Sequence, residues 1–215
     1  MSFTDDLWTG IAPIRAAIDD LPFVEGLADG TLEKGRFDYY MAQDAAYLGA
    51  YGRALAGLAQ MGDDPDDLVF WAQCAANAIL VERSLHASHV DVVAGTEPSP
   101  TCAAYSDFLL ASLASGDYAV AATAVLPCFW IYQDVGDALL ARAGELEGHP
   151  YGDWIGMYAD PAFAAETARA RAIVDRLAAS GSSAQRERMR AAFERASRYE
   201  WMFWDAAWRQ EAWPI

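Results

Sequence analysis

Asp44, Glu200 and Glu82 each interrupt an otherwise apolar helical stripe, and a carboxyl group held away from water is common material for acid–base chemistry. Around Asp44 run Phe37, Tyr40, Met41, Tyr47, Leu48, Tyr51 and Leu55. Positions 44, 47, 48, 51 and 55 share one face at helical spacing, which predicts an inward-facing Asp44 among tyrosines. Glu200 breaks the stripe Phe193, Ala196, Phe203, Ala207, and Glu82 breaks the stripe Trp71, Ala75, Ala78, Leu85, His89. An unpaired buried carboxylate costs several kcal/mol, so each should be protonated, hydrogen-bonded or partnered. A single such acid ordinarily serves a structural pair, for instance by accepting a tyrosine hydroxyl. Three in one small chain, two of them flanked by aromatics, indicate a polar pocket in the interior of a helical bundle.

Cys128 adds a candidate nucleophile. It lies in the segment Leu126-Pro127-Cys128-Phe129-Trp130-Ile131-Tyr132, where Pro127 removes a backbone donor and is expected to kink the helix. Tyr132 follows at i+4, within reach of the thiol face. Position alone leaves a lone cysteine as an inert small hydrophobe. Cys74 and Cys102 have no such company and read as structural, although Cys102 falls in a first helical turn, where the dipole could lower a thiol pKa. Glu82, His86 and His89 stand at i, i+4 and i+7 and could in principle ligate a metal. A di-iron bundle needs matching Glu-x-x-His sets on two helices, and the chain offers no second set. No metal or cofactor is therefore expected, and His86 reads as a partner for Glu82.

The elements that must position these residues read as helix after helix. Asp64-Pro65, Ser99-Pro100 and Asp160-Pro161 each put a capping side chain before a proline at the first helical position. Ser182-x-x-Gln185 has the spacing of a capping box, and Gly30, Gly62, Gly116 and Gly148 fall at helix stops. The expected spans are about 4–19, 22–29, 33–61, 65–92, 100–114, 118–146, 150–158, 161–179 and 183–211. Alternating β-branched runs, repeats and linkers are absent, so the fold class is all-α, a single-domain helical bundle over residues 1–215.

Composition narrows the function classes. The 215 residues are 54% hydrophobic and 21% charged, which is a globular balance. Net charge is −16, from 31 acids against 15 bases, and such a surface repels phosphate backbones. The one arginine concentration, Arg186, Arg188, Arg190, Arg195 and Arg198, alternates with Glu187 and Glu194 and reads as an ion-paired helix face. Neither nucleic acid nor a membrane is expected as a partner. No apolar run approaches the roughly 20 residues of a bilayer span. The opening residues Met1–Asp6 have no signal-peptide pattern, and the three cysteines are an odd number, so a cytoplasmic protein with reduced thiols is expected. Tryptophans at 201, 204, 208 and 213 suggest burial between subunits.

Four motifs occur in order: Gln43-Asp44-x-x-Tyr47-x-x-x-Tyr51; Leu126-Pro127-Cys128-x-Trp130-x-Tyr132-x-x-x-Gly136; His149-Pro150-Tyr151-x-x-Trp154-Ile155-x-x-Tyr158; and Tyr199-Glu200-x-x-Phe203-Trp204. Together, from about Phe23 to Trp208, the chain resembles the TenA family, the thiaminase II or aminopyrimidine aminohydrolase enzymes of thiamin salvage, in its cysteine-bearing branch. The resemblance implies a haem-oxygenase-like bundle, commonly a homotetramer. It also implies a hydrolase that converts 4-amino-5-aminomethyl-2-methylpyrimidine to the hydroxymethyl product and ammonia, with thiamin as a second candidate substrate.

By the same resemblance Cys128 is the nucleophile that adds to the pyrimidine ring, and Glu200 is the acid/base at a ring nitrogen. Asp44 binds the ring's amidine-like edge, Tyr105 and Tyr158 supply hydroxyls, Tyr132 holds the thiol, Tyr47 lies against the ring and Glu82 is a wall residue. Two other classes stay open at this point: an oxygenase of the same fold that uses haem or two metals, and a non-catalytic pyrimidine-binding regulator.

Overall fold

The computed structural model describes residues 2–89 and 97–215, and the side chains of residues 2–80 and 97–215. Ten α-helices and no strand occur among the described residues: α1 Phe3–Gly10, α2 Ala12–Asp19, α3 Pro22–Asp29, α4 Lys34–Met61, α5 Pro65–His89, α6 Pro100–Ala114, α7 Tyr118–Ala143, α8 Gly152–Tyr158, α9 Pro161–Ser180 and α10 Ser183–Arg209. The long helices form the body. α4 lies along α5 and α6, while α7 packs between α10 and α9, and the short α1–α3 and α8 close the sides.

One hydrophobic cluster runs from Leu7 to Ala207, with Trp71, Trp154, Trp204, Tyr40, Tyr105 and Phe193 fully buried in it. Fully burying a side chain of this kind stabilises the fold by about 1.5–3 kcal/mol, and the aromatic share makes the core rigid.

Capping chemistry behaves as the sequence implies at most starts. Oxygens of Asp64, Ser99 and Asp160 accept from the backbone nitrogens of Asp66, Cys102 and Ala162 at 2.9, 3.2 and 2.7 Å. Gly30 takes φ 68° at the end of α3, the left-handed stop that glycine adopts at low cost.

Elsewhere the expectations need correction. The single helix expected over about 4–19 is two, meeting at Ile11, because Pro13 has no N–H to offer the Thr9 carbonyl. α7 stops at Ala143 rather than about 146, since Gly144 at φ 72° ends it, four residues before the expected stop at Gly148. Only half of the 182–185 box forms. Ser182 accepts from the Gln185 nitrogen at 3.2 Å, but the Gln185 amide turns to Asp117 at 2.8 Å.

The α10 arginines are satisfied within the chain. Arg188 pairs with Asp117 at 2.7 Å and Arg198 with Glu194 at 2.6 Å; Arg186 donates to the Gly181 carbonyl at 2.6 Å, and Arg195 lies over the Phe108 ring. The tryptophans are also largely used internally. Trp204 is core, Trp201 donates to the Ala17 carbonyl at 3.2 Å, and Trp208 carries Arg36 on its face at 3.8 Å. Only Trp213 is half exposed. No described helix is long and apolar enough to cross a membrane.

Candidate active site in the bundle interior

α4 delivers most of the polar interior. Tyr40, Asp44, Tyr47 and Tyr51 follow at i, i+4, i+7 and i+11, and all four are buried on the face turned to α7 and α10. α6 contributes Tyr105, α7 contributes Cys128 and Tyr132, α8 contributes Tyr158, and α10 contributes Glu200 with Phe203 and Trp204. α7 runs through Pro127 without a break, so the Thr123 carbonyl receives no backbone donor from that position. One residue pair further on, the Tyr51 hydroxyl donates to the Val125 carbonyl at 3.0 Å and ties α4 to the turn that carries Cys128.

Glu200 is 1% exposed, and the Tyr105 hydroxyl donates to its Oε1 at 2.5 Å. Burial pushes its carboxyl up to about 8; the tyrosine opposes that shift and the nearby Asp44 charge adds to it. At neutral pH Glu200 therefore carries its proton. Burial also holds the Cys128 thiol well above its ordinary value, and the Glu200 and Asp44 carboxylates push it the same way. The hydroxyls of Tyr47 and Tyr51 face the sulfur and act in the opposite direction. The resting site thus holds a thiol and a carboxylic acid, with the Asp44 side chain 3% exposed beside them.

The Tyr47 hydroxyl is buried facing the Cys128 sulfur and the Tyr105 hydroxyl, with no hydrogen bond of ordinary geometry to either. A buried donor left over in this way matches a polar atom supplied by a ligand. Aromatic walls complete the chamber. Tyr47 stacks on Tyr51 with centroids 5.6 Å apart and leans on Tyr105 at 4.8 Å, while Tyr158 packs on Tyr132 at 4.8 Å. Flat walls, two acids, several hydroxyls and a thiol suit a flat heteroaromatic ring that presents amine hydrogens and ring nitrogens. A cavity of about 240 Å³ reaches Cys128 from outside, between α4, α5, α7, α8 and α9.

The structure brings Cys128, Glu200, Asp44, Tyr47, Tyr105, Tyr132 and Tyr158 into one interior. It places Tyr132 differently from the expectation that it faces the thiol. The Tyr132 hydroxyl receives a 3.3 Å hydrogen bond from Tyr40, and the hydroxyls turned to the sulfur belong to Tyr47 and Tyr51. Tyr40 and Tyr51 also reach this interior, although in the sequence Tyr40 reads only as a stripe residue and Tyr51 as a motif position without a role; their spacing from Asp44 was the available signal.

Glu82, His86 and His89 lie outside the described side chains. Cys74 and Cys102 are buried, and burial pushes both thiols up to about 12, so the dipole of α6 does not activate Cys102. Asp67, fully buried near the start of α5, shows the structural alternative: it is ion-paired to Arg176 and accepts from Tyr118 at 3.0 Å. No group of three or more His, Cys, Asp or Glu side chains among the described residues is placed to hold a metal ion.

Two further motif residues act as scaffold. The His149-Pro150-Tyr151 turn is held by the Tyr151 hydroxyl, which donates to the Leu32 carbonyl at 2.5 Å. Gly136 lets α7 touch α8, because a Cβ there would stand 2.7 Å from the Tyr158 carbonyl carbon and 2.9 Å from the Ala159 nitrogen. Gly136→Ala should therefore destabilise the fold by about 1–3 kcal/mol and displace Tyr158 from the chamber. Denaturant titration alongside turnover measures both effects, and an unchanged midpoint would refute the close-approach account.

Residues 11–210 match the TENA/THI-4/PQQC family. The "Thiamine biosynthesis multifunctional protein ThiED" of Corynebacterium glutamicum is 39% identical over 207 residues, covering 96% of this chain but only 27% of that relative. The chain thus spans about a quarter of that multifunctional protein. The "Aminopyrimidine aminohydrolase" of Bacillus subtilis (strain 168) is 34% identical over 200 residues, 89% of this chain and 84% of the relative. Among solved structures, a "TenA homologue protein" from P. horikoshii superposes with a TM-score of 0.87 at 30% identity, covering 97% of this chain and 99% of the other. A Shewanella denitrificans domain described as having a heme oxygenase-like fold matches with a TM-score of 0.76 at 18% identity, over 96% and 92% of the two chains, and shares the fold alone.

Proposed function

The chain belongs to the TENA/THI-4/PQQC family, and from that premise we propose that it is an aminopyrimidine aminohydrolase of thiamin salvage. Its reaction is the conversion of 4-amino-5-aminomethyl-2-methylpyrimidine and water to the hydroxymethylpyrimidine and ammonia, with thiamin as a second substrate. The observation that carries this reading is the convergence of the buried Glu200, the Cys128 thiol and Asp44 in one aromatic chamber.

An aminopyrimidine is a poor electrophile until a ring nitrogen is protonated. Glu200 gives its proton to that nitrogen and takes up the thiol proton while Cys128 Sγ bonds to the adjacent ring carbon. The dearomatised adduct then expels the group on the methylene carbon with the electron pair of the broken bond, leaving an exocyclic alkene. Water adds its hydroxyl to that methylene and its other proton goes to the departing amine, which leaves as ammonia. The sulfur–carbon bond breaks, the ring regains its aromaticity and the thiol its proton. Raised pKa values fit the start of this cycle, because a neutral thiol and a neutral acid can exchange protons with the ring without a net buried charge.

Asp44 accepts from the exocyclic amine, Tyr105 orients the Glu200 carboxyl and Tyr47 lies against the ring. Tyr47 and Tyr51 hold the thiol, while Tyr158 and the Tyr40–Tyr132 pair line the far wall. The whole chain, residues 1–215, acts as one domain in the cytoplasm. A homotetramer follows the family pattern and is supported by the exposed Leu68, Val69 and Leu80 of α5, an apolar face that a second subunit would cover.

The direct test is ammonia release from the aminomethylpyrimidine by the purified protein, with the hydroxymethyl product identified by mass. Turnover is expected without added cofactor. Absence of both products would overturn the reading.

A further inference from the structure

We propose that Glu211, on the segment that follows α10, is a positioning residue for the reaction: it clamps the first turn of α6 and so holds the Tyr105 hydroxyl on the Glu200 carboxyl. The inference rests on the hydrolase reading above and deepens it, since Glu200 is the acid of that cycle. α10 ends at Arg209, and Gln210 takes φ 48°, the only non-glycine residue with a positive φ among the described residues. A left-handed residue that carries a side chain is costly and persists where its surroundings hold it. Gln210 Nε2 donates to the Gly35 carbonyl at 3.1 Å, the Tyr39 hydroxyl donates to the Glu211 carbonyl, and Arg36 donates to the Trp208 carbonyl. The turn thereby lays Glu211 across the starts of α4 and α6.

The first turn of α6 shows what the Glu211 carboxylate does there. Pro100 has no N–H, Ser99 Oγ accepts from the Cys102 nitrogen at 3.2 Å, and the Ser99 carbonyl accepts from the Ala103 nitrogen at 2.8 Å. The Thr101 N–H is the donor that remains, and it goes to Glu211 Oε2 at 2.8 Å. The other carboxylate oxygen faces Arg209 at 3.8 Å, and the side chain is 17% exposed. A charged acceptor at a helix N-terminus makes one of the stronger hydrogen bonds open to a carboxylate. Trp213 Nε1 adds a bond to the Pro98 carbonyl at 2.9 Å. The Ser99 N–H donates to Gln43 Oε1 at 2.7 Å and ties the same turn to α4 beside Asp44.

These ties close a circuit. Tyr105 stands one turn beyond Thr101 on α6, and Glu200 stands about three turns before Glu211 along the α10 direction. Among the described residues two hydrogen bonds join α6 to α10 and the segment after it: Tyr105 to Glu200 at 2.5 Å and Thr101 to Glu211 at 2.8 Å. The second fixes how α6 lies along α10, and with it the reach of the first. Tyr105 also stacks on Tyr199 with centroids 5.1 Å apart, but stacked planes tolerate a sliding that a short hydrogen bond does not. Glu200 further faces Asp44 and Tyr47 from α4, Cys128 and Tyr132 from α7 and Tyr158 from α8. The Tyr105 hydrogen bond favours the ionised carboxyl, so loosening it lets the Glu200 pKa rise further.

The test is the pH profile of Glu211 variants on the aminomethylpyrimidine. Glu211→Ala should lower kcat about 3- to 10-fold with KM within about twofold of wild type, because Asp44 and the tyrosines of α4 keep their places. The alkaline limb of kcat/KM, expected near 8 in wild type, should move up by about half a pH unit. Glu211→Gln keeps an acceptor for the Thr101 N–H and should restore kcat and the limb. Glu211→Asp keeps the charge but falls one methylene short, so it should behave as Glu211→Ala does and serves in its place if the alanine variant does not fold. Infrared titration of the protonated carboxyl band that Glu200→Gln lacks reads the same proton without substrate. A merely structural Glu211 would lower the melting temperature yet leave limb and band where they are in wild type. That result would overturn the inference, as would a Glu211→Gln no better than Glu211→Ala. A wild-type protein inactive on the pyrimidine would remove the hydrolase reading, and the infrared titration would still decide whether Glu211 holds the Tyr105–Glu200 pair.

Discussion

Cys128→Ser should lower ammonia release at least about 1000-fold while leaving pyrimidine binding and thermal stability near wild type. The expectation follows from what each atom does at this position. A serine hydroxyl is a far weaker acid than a thiol, and its oxygen is a poorer nucleophile toward a soft ring carbon, so the covalent step loses most of its rate. Binding rests instead on Asp44, Glu200 and the tyrosine walls, which the change does not touch. The fold should tolerate the swap, because the side chain is half-buried, opens onto a cavity and barely changes in volume.

A second readout separates chemistry from packing. Cys74 and Cys102 are buried with thiols pushed up to about 12, so an alkylating agent applied to the folded protein should modify Cys128 first. It should do so slowly at neutral pH, because the Cys128 thiol is itself held protonated by burial. Bound pyrimidine should protect it. Unimpaired turnover in Cys128→Ser would sink the covalent mechanism.

The parts of this site that were legible in the sequence are those set by helical period. Asp44 and Glu200 stand at core positions of strongly apolar stripes, and a helix of 3.6 residues per turn has no other place to put them. Their burial at 3% and 1% exposure is therefore local information. Which hydroxyl reaches the thiol is not. Tyr132 is one turn from Cys128 on the same helix, yet its hydroxyl meets Tyr40, while the hydroxyls of Tyr47 and Tyr51 come to the thiol from α4. Sequence spacing fixes neighbours on one helix but carries no information on the rotation of a second helix against it.

Asp67 illustrates the same limit. It is as buried as Glu200, but it lies near a helix start rather than on a stripe, and the Arg176 that neutralises it is supplied by α9. The break at Ile11 was legible in principle, since Pro13 was present to mark it. Gly144 rather than Gly148 ends α7; both glycines take a positive φ, so residue type alone does not choose between them.

Glu200→Gln should lower kcat about 100-fold or more, in line with the loss of a positioned general acid, and should also change how stability depends on pH. In the folded protein the Glu200 carboxyl titrates near 8, whereas in the unfolded chain it returns to about 4.5. The folded state therefore binds the proton more tightly. Its contribution to stability is fully present below about 4.5, declines as pH rises, and is lost once pH passes about 8. A shift of that size corresponds to about 3–5 kcal/mol between the two ends of the window.

Glutamine has the same shape, stays neutral and can still accept from the Tyr105 hydroxyl, so the variant should lack this slope. Near pH 5 the two proteins should melt at similar temperatures, and near pH 9 the glutamine variant should be the more stable. The same proton governs activity: wild-type kcat/KM should fall as pH rises through about 8, when the acid that activates the ring is ionised. Residual turnover in Glu200→Gln should lose that limb. Parallel wild-type and variant stability curves across pH 5 to 9 would show that Glu200 is ionised in the folded protein, and the protonated starting state of the cycle would have to be abandoned.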